Sequence, residues 1–152
     1  MPLSPYIAEI RALIGTRTLL LPGVTAVVRD ERGRYLLARH TQSGRWSLVG
    51  GGVEPGEEPR TALEREIREE LGVAAVAGRV VDAYGGPALE VVYGNGDRVS
   101  YVTVAYLCTL QGEPRAAEPD EIAEVGWFTR AEVRALDPFP WVDRVLEDAD
   151  RL

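Results

Sequence analysis

Gly51-Gly52-Val53-Glu54-Pro55-Gly56-Glu57-Glu58-Pro59-Arg60-Thr61-Ala62-Leu63-Glu64-Arg65-Glu66-Ile67-Arg68-Glu69-Glu70-Leu71-Gly72-Val73 runs from a glycine-rich loop straight into a helix crowded with carboxylates. Proline suits the first helical position and glycine the left-handed residue just past a helix end, so the sequence predicts a helix from Pro59 to Gly72. Counting 100° per residue from Leu63, Glu66, Glu69 and Glu70 point to roughly −60°, −120° and −20°, one face about 100° wide. Leu63, Ile67 and Leu71 form the adjacent apolar stripe. One edge of the helix packs and the other gathers negative charge.

Like charges three or four residues apart destabilise a helix by roughly 0.2 to 0.5 kcal/mol per pair, and by more when the helix is docked and partly desolvated. A bound divalent cation answers that repulsion, since hard ions take carboxylate, water and phosphate oxygens. A solvated charged helix is the simpler alternative, and the four-residue spacings Arg60–Glu64, Glu64–Arg68 and Arg65–Glu69 fit it. The glycine-rich loop in front of the helix argues for the cation.

The spacing of Gly51, Glu57 and the run Arg65-Glu66-Ile67-Arg68-Glu69-Glu70-Leu71-Gly72-Val73 resembles the complete box of the Nudix (MutT-like) hydrolases, every fixed position filled. The resemblance is strict over 51–73 and looser from the segment near Val24 to Trp127-Phe128. It implies an α/β fold, a Nudix α/β/α sandwich with a mixed central sheet, in a single domain spanning 1–152. It also implies Mg²⁺- or Mn²⁺-dependent hydrolysis of a nucleoside diphosphate linked to another group. By the same resemblance Glu66, Glu69 and Glu70 are metal ligands, joined by the carbonyl of Gly51. Glu66 is the first choice of general base, with Glu69, Glu70 and an acid of a later loop open. Arg65 orients the glutamates, Glu57 anchors the loop by pairing with Arg65, and Gly72 ends the helix. Similar proteins place an extra acid near 118–121; Glu121 is the first choice there, before Asp120 and Glu118. Many relatives carry proline just before the paired glycines, where this chain has Val49-Gly50, which bears on loop stiffness and not on the liganding positions.

Composition narrows the rest. A chain of 152 residues with 45% hydrophobic content can bury one sizeable core. Its net charge of −7 argues against sequence-independent binding to nucleic-acid polymers or acidic membranes, which rests on basic patches. Cys108 is the only cysteine, which excludes a disulfide framework and fits a buried thiol and a cytoplasmic protein. Leu19-Leu20-Leu21 ends at Pro22, far short of a membrane span, and no signal-peptide pattern opens the chain.

Ser4-Pro5 starts a short helix, 4–15, carrying Ile7, Ile10, Leu13 and Ile14 at helical spacing. Its apolar stripe fits packing on its own domain or against a second copy, so a homodimer is open. Val24–Arg29 and Tyr35–Arg39 read as a hairpin about Asp30-Glu31-Arg32-Gly33, and Trp46–Val49 as a short strand feeding the glycines. Arg39 and Arg45, with His40, fall just before the box and are candidates to neutralise substrate phosphate. Val76–Tyr84, Ala88–Tyr93 and Arg98–Leu110 read as strands, the last two joined through Asn95-Gly96. The last has no clearly polar face and reads as a central strand covered on both sides. Thr129–Glu132 is a capping box, and a final helix over 141–149 buries Trp141, Val145 and Leu146. Within the resemblance, nucleoside triphosphates, including oxidised ones, are favoured as substrate; ADP-ribose or nucleotide-sugar hydrolysis, and nucleotide binding without turnover, are the alternatives.

Overall fold

In the computed structural model, which describes residues 4–152, the chain folds into two sheets with helices on their outer faces. The first three residues, the opening of the expected 1–152 domain, lie outside the described residues. The order along the chain is α1 (Pro5–Ile14), β1 (Leu19–Val28), β2 (Tyr35–His40), β3 (Trp46–Ser47), β4 (Val49–Gly52), α2 (Pro59–Leu71), β5 (Ala75–Tyr84), β6 (Glu90–Val92), β7 (Arg98–Leu110), β8 (Ile122–Phe128), α3 (Arg130–Ala135) and α4 (Pro140–Asp150). The larger sheet runs β4-β1-β7-β5 with β6 also on β7, and the smaller runs β3-β2-β8.

β1 runs through Pro22 and joins Leu19-Leu20-Leu21 to the strand expected from Val24. The Pro22 carbonyl accepts from the Val53 N–H at 3.2 Å on the β4 side. The missing proline donor therefore lies on that same side, beyond the last β4 pair Gly23↔Gly52, while the parallel ladder to β7 runs unbroken from Leu19↔Val99 to Val28↔Cys108. The expected hairpin of the first two strands is reduced to one bridge, Arg29↔Tyr35. The turn chemistry is present, with Asp30 N–H bonded to Arg34 O and Gly33 at φ 76°, but both edges of β1 are occupied by β4 and β7. β2 consequently pairs with β3 and β8. The stretch expected as one strand at 46–49 is split at Leu48, with β3 in the smaller sheet and β4 in the larger.

β7 is central, between β1 and β5, although its cover is incomplete where Val102 is 45% exposed. The segment expected as a strand from Ala88 starts instead as a 3₁₀ turn at Pro87–Leu89. The turn is set by Gly86 at φ 88° and by proline at its first position.

α2 lays Leu63, Ile67 and Leu71, all fully buried, against one face of the larger sheet. Val142, Val145, Leu146 and Ala149 of α4 fill the core on the other face. Trp141, expected in that inner face, is only partly buried, because the 3.6-residue period passes through Val142 instead. The result is an α/β/α sandwich built on a mixed sheet. The Thr129 capping box opens α3, with reciprocal bonds of 3.3 Å and 2.7 Å to Glu132. Among the described residues no helix is long and apolar enough to cross a membrane.

Candidate active site

The three glutamates of α2 do not share one environment. Glu66 and Glu70 are each 2% exposed, whereas the Glu69 side chain is half exposed. Of the four-residue pairs expected on this helix, Arg65–Glu69 forms at 3.3 Å. Arg60 and Glu64 serve tertiary contacts instead: Arg60 donates to the carbonyls of Ala77 and Gly78, and Glu64 accepts from the Ala77 N–H at 3.0 Å. Both pin α2 to β5. Arg65 is the hub of the exposed edge, bonded to Glu57 through two nitrogens at 2.8 and 3.0 Å, to Glu66 at 2.8 Å and to the Gly52 carbonyl at 3.0 Å. The pairing with Arg65 holds the Glu57 carboxyl below its usual range. Glu57 also accepts from the Glu54 N–H at 3.1 Å, which closes the loop onto itself.

β4 passes so close over α2 that its glycines form a cradle. A β-carbon at Gly51 would overlap the Glu66 carboxylate, and one at Gly50 would overlap the Val24 carbonyl of β1. At Gly52 it would meet nothing within 4 Å. The Gly50 N–H is directed to Glu70, whose Oε2 is buried without a hydrogen-bond partner among the described residues. Burial raises the Glu66 carboxyl to about 7, with Arg65 opposing and the charges of Glu69 and Glu121 adding. Burial, then Glu66 and Glu121, push Glu70 well above the ordinary carboxylate range.

The acidic loop reaches this site through backbone bonds. The Arg115 and Ala117 N–H groups cap the last α2 carbonyls, on Leu71 and Glu70, at 3.1 and 2.9 Å. Gly72, at φ 67°, leaves room for that approach: a β-carbon there would press on Ala117 and Arg115 at 3.2 Å. Thr41 then ties the loop to the end of β2, donating from its N–H to Glu121 O and from its hydroxyl to Pro119 O, both at 2.8 Å. Glu121 is thereby brought within electrostatic range of Glu66 and Glu70.

A cavity of about 540 Å³ opens beside these groups. Its lining includes Gly50, Gly51, Gly52, Glu70, Asp120 and Glu121 at one end and Leu89, Tyr93, Tyr101, Phe139 and Trp141 elsewhere. Glu70 and Glu121 line the cavity and Glu66 and Glu69 do not, so it separates the four candidate bases. Its charged lining residues, Glu70, Glu90, Asp120 and Glu121, are all acidic. Arg39 and Arg45, expected at substrate phosphate, are not among the lining residues. Arg39 pairs across the smaller sheet with Glu124 at 3.0 Å, because its register places it opposite that residue. Arg45 donates to the carbonyls of Asp137 and Pro138 and lies over the Phe139 ring. His40 does line the cavity, and its burial lowers its pKa. Sequence reasoning missed the buried Thr25–Thr103 hydroxyl pair at 2.8 Å and the Tyr93–Tyr101 pair at 2.8 Å, both on the cavity wall. Only the alternation along 98–110 hinted at either.

Hard oxygen donors, a buried carboxylate oxygen without a partner and a glycine cradle suit a divalent cation. Among the described residues, no three acidic, histidine or cysteine side chains already converge as a metal cluster. Arg65 occupies Glu66 and Glu69, so a shift of side chains would accompany metal entry.

Comparison with known proteins agrees with this geometry. The NUDIX domain model matches residues 19–148. The chain is 30% identical over 129 residues to the nucleoside triphosphatase NudI of Enterobacter sp. (strain 638), covering 80% of this chain and 87% of that protein. It is 43% identical over 65 residues to the CTP pyrophosphohydrolase of Escherichia coli (strain K12), a match covering 40% of this chain and about half, 48%, of that relative. The MutT NUDIX hydrolase from Burkholderia pseudomallei superposes with a TM-score of 0.67 at 29% identity, over 86% of this chain and 98% of that one. The chain belongs to the Nudix family of hydrolases, which act on phosphoanhydrides.

Proposed function

We propose that this protein is a Mg²⁺- or Mn²⁺-dependent pyrophosphohydrolase acting on a nucleoside triphosphate. The observation that carries the reading is the buried Oε2 of Glu70, without a partner among the described residues, on the wall of an acid-lined cavity. A polyphosphate is repelled by such a wall unless cations enter with it. Nudix hydrolases generally use divalent ions, and such an ion supplies charge neutralisation and polarisation of the phosphoryl group. In this reading Glu66, Glu69, Glu70 and the Gly51 carbonyl hold it, with Glu121 assisting. Arg65 orients Glu66 and Glu69, and Glu57 fixes Arg65. Water oxygen bonds to phosphorus, the bridging P–O bond breaks, and the water proton passes to a carboxylate. Because Glu70 and Glu121 line the cavity and Glu66 does not, this reading favours one of those two as that base.

The relatives named as a nucleoside triphosphatase and a CTP pyrophosphohydrolase support a triphosphate over ADP-ribose or a nucleotide sugar. The test is a panel of ordinary and oxidised nucleoside triphosphates, ADP-ribose and nucleotide sugars, incubated with Mg²⁺ or Mn²⁺. The expected product is a mononucleotide with pyrophosphate. Glu69→Gln and Glu70→Gln each lower the rate by about 10²-fold or more; wild-type rates in both variants would sink the ligand assignment, and tight binding without product would favour a non-catalytic module. A cytoplasmic location and a homodimer belong to the same reading, the latter because Leu13 of α1 is 87% exposed. A monomer in sedimentation equilibrium refutes the dimer.

A further inference from the structure

α1 precedes the residues matched by the family model, and its buried residue is a charged one. Ile7, Ile10 and Ile14 are only partly covered and Leu13 is open, whereas Arg11 is 9% exposed. Its guanidinium faces a set of fixed acceptors. Nη1 donates to the carbonyls of Gly15 at 3.0 Å and Arg17 at 2.6 Å, and Nη2 donates to the Arg98 carbonyl at 2.7 Å. Nε lies 3.6 Å from the Asp97 carboxylate. One side chain thus joins the end of α1 to the start of β7, 87 residues away. The guanidinium has donors enough for these carbonyls and the carboxylate together, whereas an ammonium has one donor too few and lacks the planar fork.

What Arg11 holds is the turn of the β6–β7 hairpin. That turn closes with Tyr93 N–H bonded to Asp97 O and Gly96 N–H bonded to Tyr93 O, both at 2.9 Å, and Gly96 sits near Thr16. Among the described residues β6 pairs only with β7, through three residues, so no described strand steadies its outer edge. Yet Glu90, Val91, Val92, Tyr93 and Gly94, with Tyr101 of β7, line the cavity beside the carboxylates. A three-residue edge strand is a weak wall unless its turn is fixed.

We propose that Arg11 is a positioning residue for substrate. By clamping the Asp97-Arg98 end of the hairpin it sets the wall on which the Tyr93–Tyr101 hydroxyl pair stands, and so the fit of the group bound there. The placement of the wall does not depend on the hydrolase reading; the kinetic consequence does, and the experiment separates the two.

Hydrogen–deuterium exchange on the full chain reads the wall directly, comparing wild type with Arg11→Met and Arg11→Lys. Arg11→Met is expected to speed exchange across 90–98 by about tenfold while α2 keeps wild-type protection, and Arg11→Lys to fall between. Unchanged exchange over 90–98 overturns the proposal, as does an equal loss of protection in α2, which would make Arg11 a general stability residue. With Mg²⁺ and CTP as the probe, Arg11→Met is expected to raise KM about tenfold at a kcat within about twofold, with partial recovery in Arg11→Lys. A fall in kcat at unchanged KM overturns the positioning role. Wild-type protein that turns over no nucleotide, with hairpin exchange still responding to Arg11, refutes the hydrolase reading and leaves the clamp established.

Discussion

Three adjacent glycines in one strand offer a graded test of how β4 serves the site, because a methyl group at each meets a different neighbour. At Gly51 it overlaps the Glu66 carboxylate, the far end of a flexible side chain, which can turn away without moving backbone. Turning breaks the 2.8 Å bond to Arg65, itself 31% exposed, so the stability loss is about 1 kcal/mol after allowing for solvent, or about 2–4 °C in Tm. The rate should fall about 10²-fold, the cost of misplacing a catalytic-site group by about 1 Å. At Gly50 the methyl meets the Val24 carbonyl, so the Thr25↔Gly50 register must shift, at about 2–4 kcal/mol. At Gly52 nothing lies within 4 Å, and stability should stay within about 0.5 kcal/mol of wild type. The assays are thermal unfolding in EDTA and steady-state hydrolysis with Mg²⁺. If Gly51→Ala keeps both wild-type stability and wild-type rate, the Glu66 carboxylate does not need the position the cradle gives it, and the reasoning fails.

Other expectations follow from the same contacts. Glu57→Gln removes two charge-assisted bonds to Arg65 and should destabilise by about 1–2 kcal/mol at pH 7. Because the folded carboxyl is held below its ordinary value of 4.5, that difference is full above this value. It should shrink as pH falls through the lowered value; urea unfolding at pH 7 and pH 3 checks it, and a difference unchanged at pH 3 contradicts the pairing. Glu70→Gln replaces a buried acid whose carboxyl is held by burial well above its ordinary range, so unfolding in EDTA at pH 7 should show a gain of about 1 kcal/mol as the rate collapses, and a loss of stability would contradict that burial cost. Thr129→Ala deletes the capping hydroxyl of α3 and should cost about 1 kcal/mol in thermal unfolding; a loss beyond about 2 kcal/mol would mean that the residue does more than cap.

The residues whose partners lie within one turn of helix could be read from sequence. Leu63, Ile67 and Leu71 pack as their spacing requires, Gly72 ends α2 in the left-handed conformation, and Thr129 caps α3. Those whose partners lie far along the chain could not. Arg60 and Glu64 look like a helical ion pair, but β5 offers each a backbone partner at 3.0 Å or less, which outweighs a solvated pair worth a few tenths of a kcal/mol. Arg39 and Arg45 sit beside the box in sequence and are drawn to Glu124 and to the chain ahead of Phe139 in space. The first two strands carried genuine turn residues, yet their pairing was decided by β4 and β7, which had claimed the edges of β1. Local chemistry proposes a hairpin, and edge occupancy refuses it.

The same distinction divides the site. One side is α2 and β4, held by Arg65, the glycine cradle and backbone caps from the acidic loop, all within or directly against the box. The other side is assembled from β6 and the turn after it, β7 and the N-terminal end of α4, which carry Tyr93, Tyr101, Phe139 and Trp141. The first contains the acids proposed for the chemistry, and a β-carbon at Gly50 or Gly51 would overlap the groups that set its geometry. The second is an edge hairpin and a helix start, steadied by Arg11 at Asp97 and Arg98 and by Arg45 at Asp137, Pro138 and the Phe139 ring. A fold arranged in this way can change the group it admits by altering the second wall while the first stays fixed. In the proposed reading the acids of the reaction are written in the contiguous box apart from Glu121, whereas the wall that would choose the substrate is spread over segments that only folding brings together.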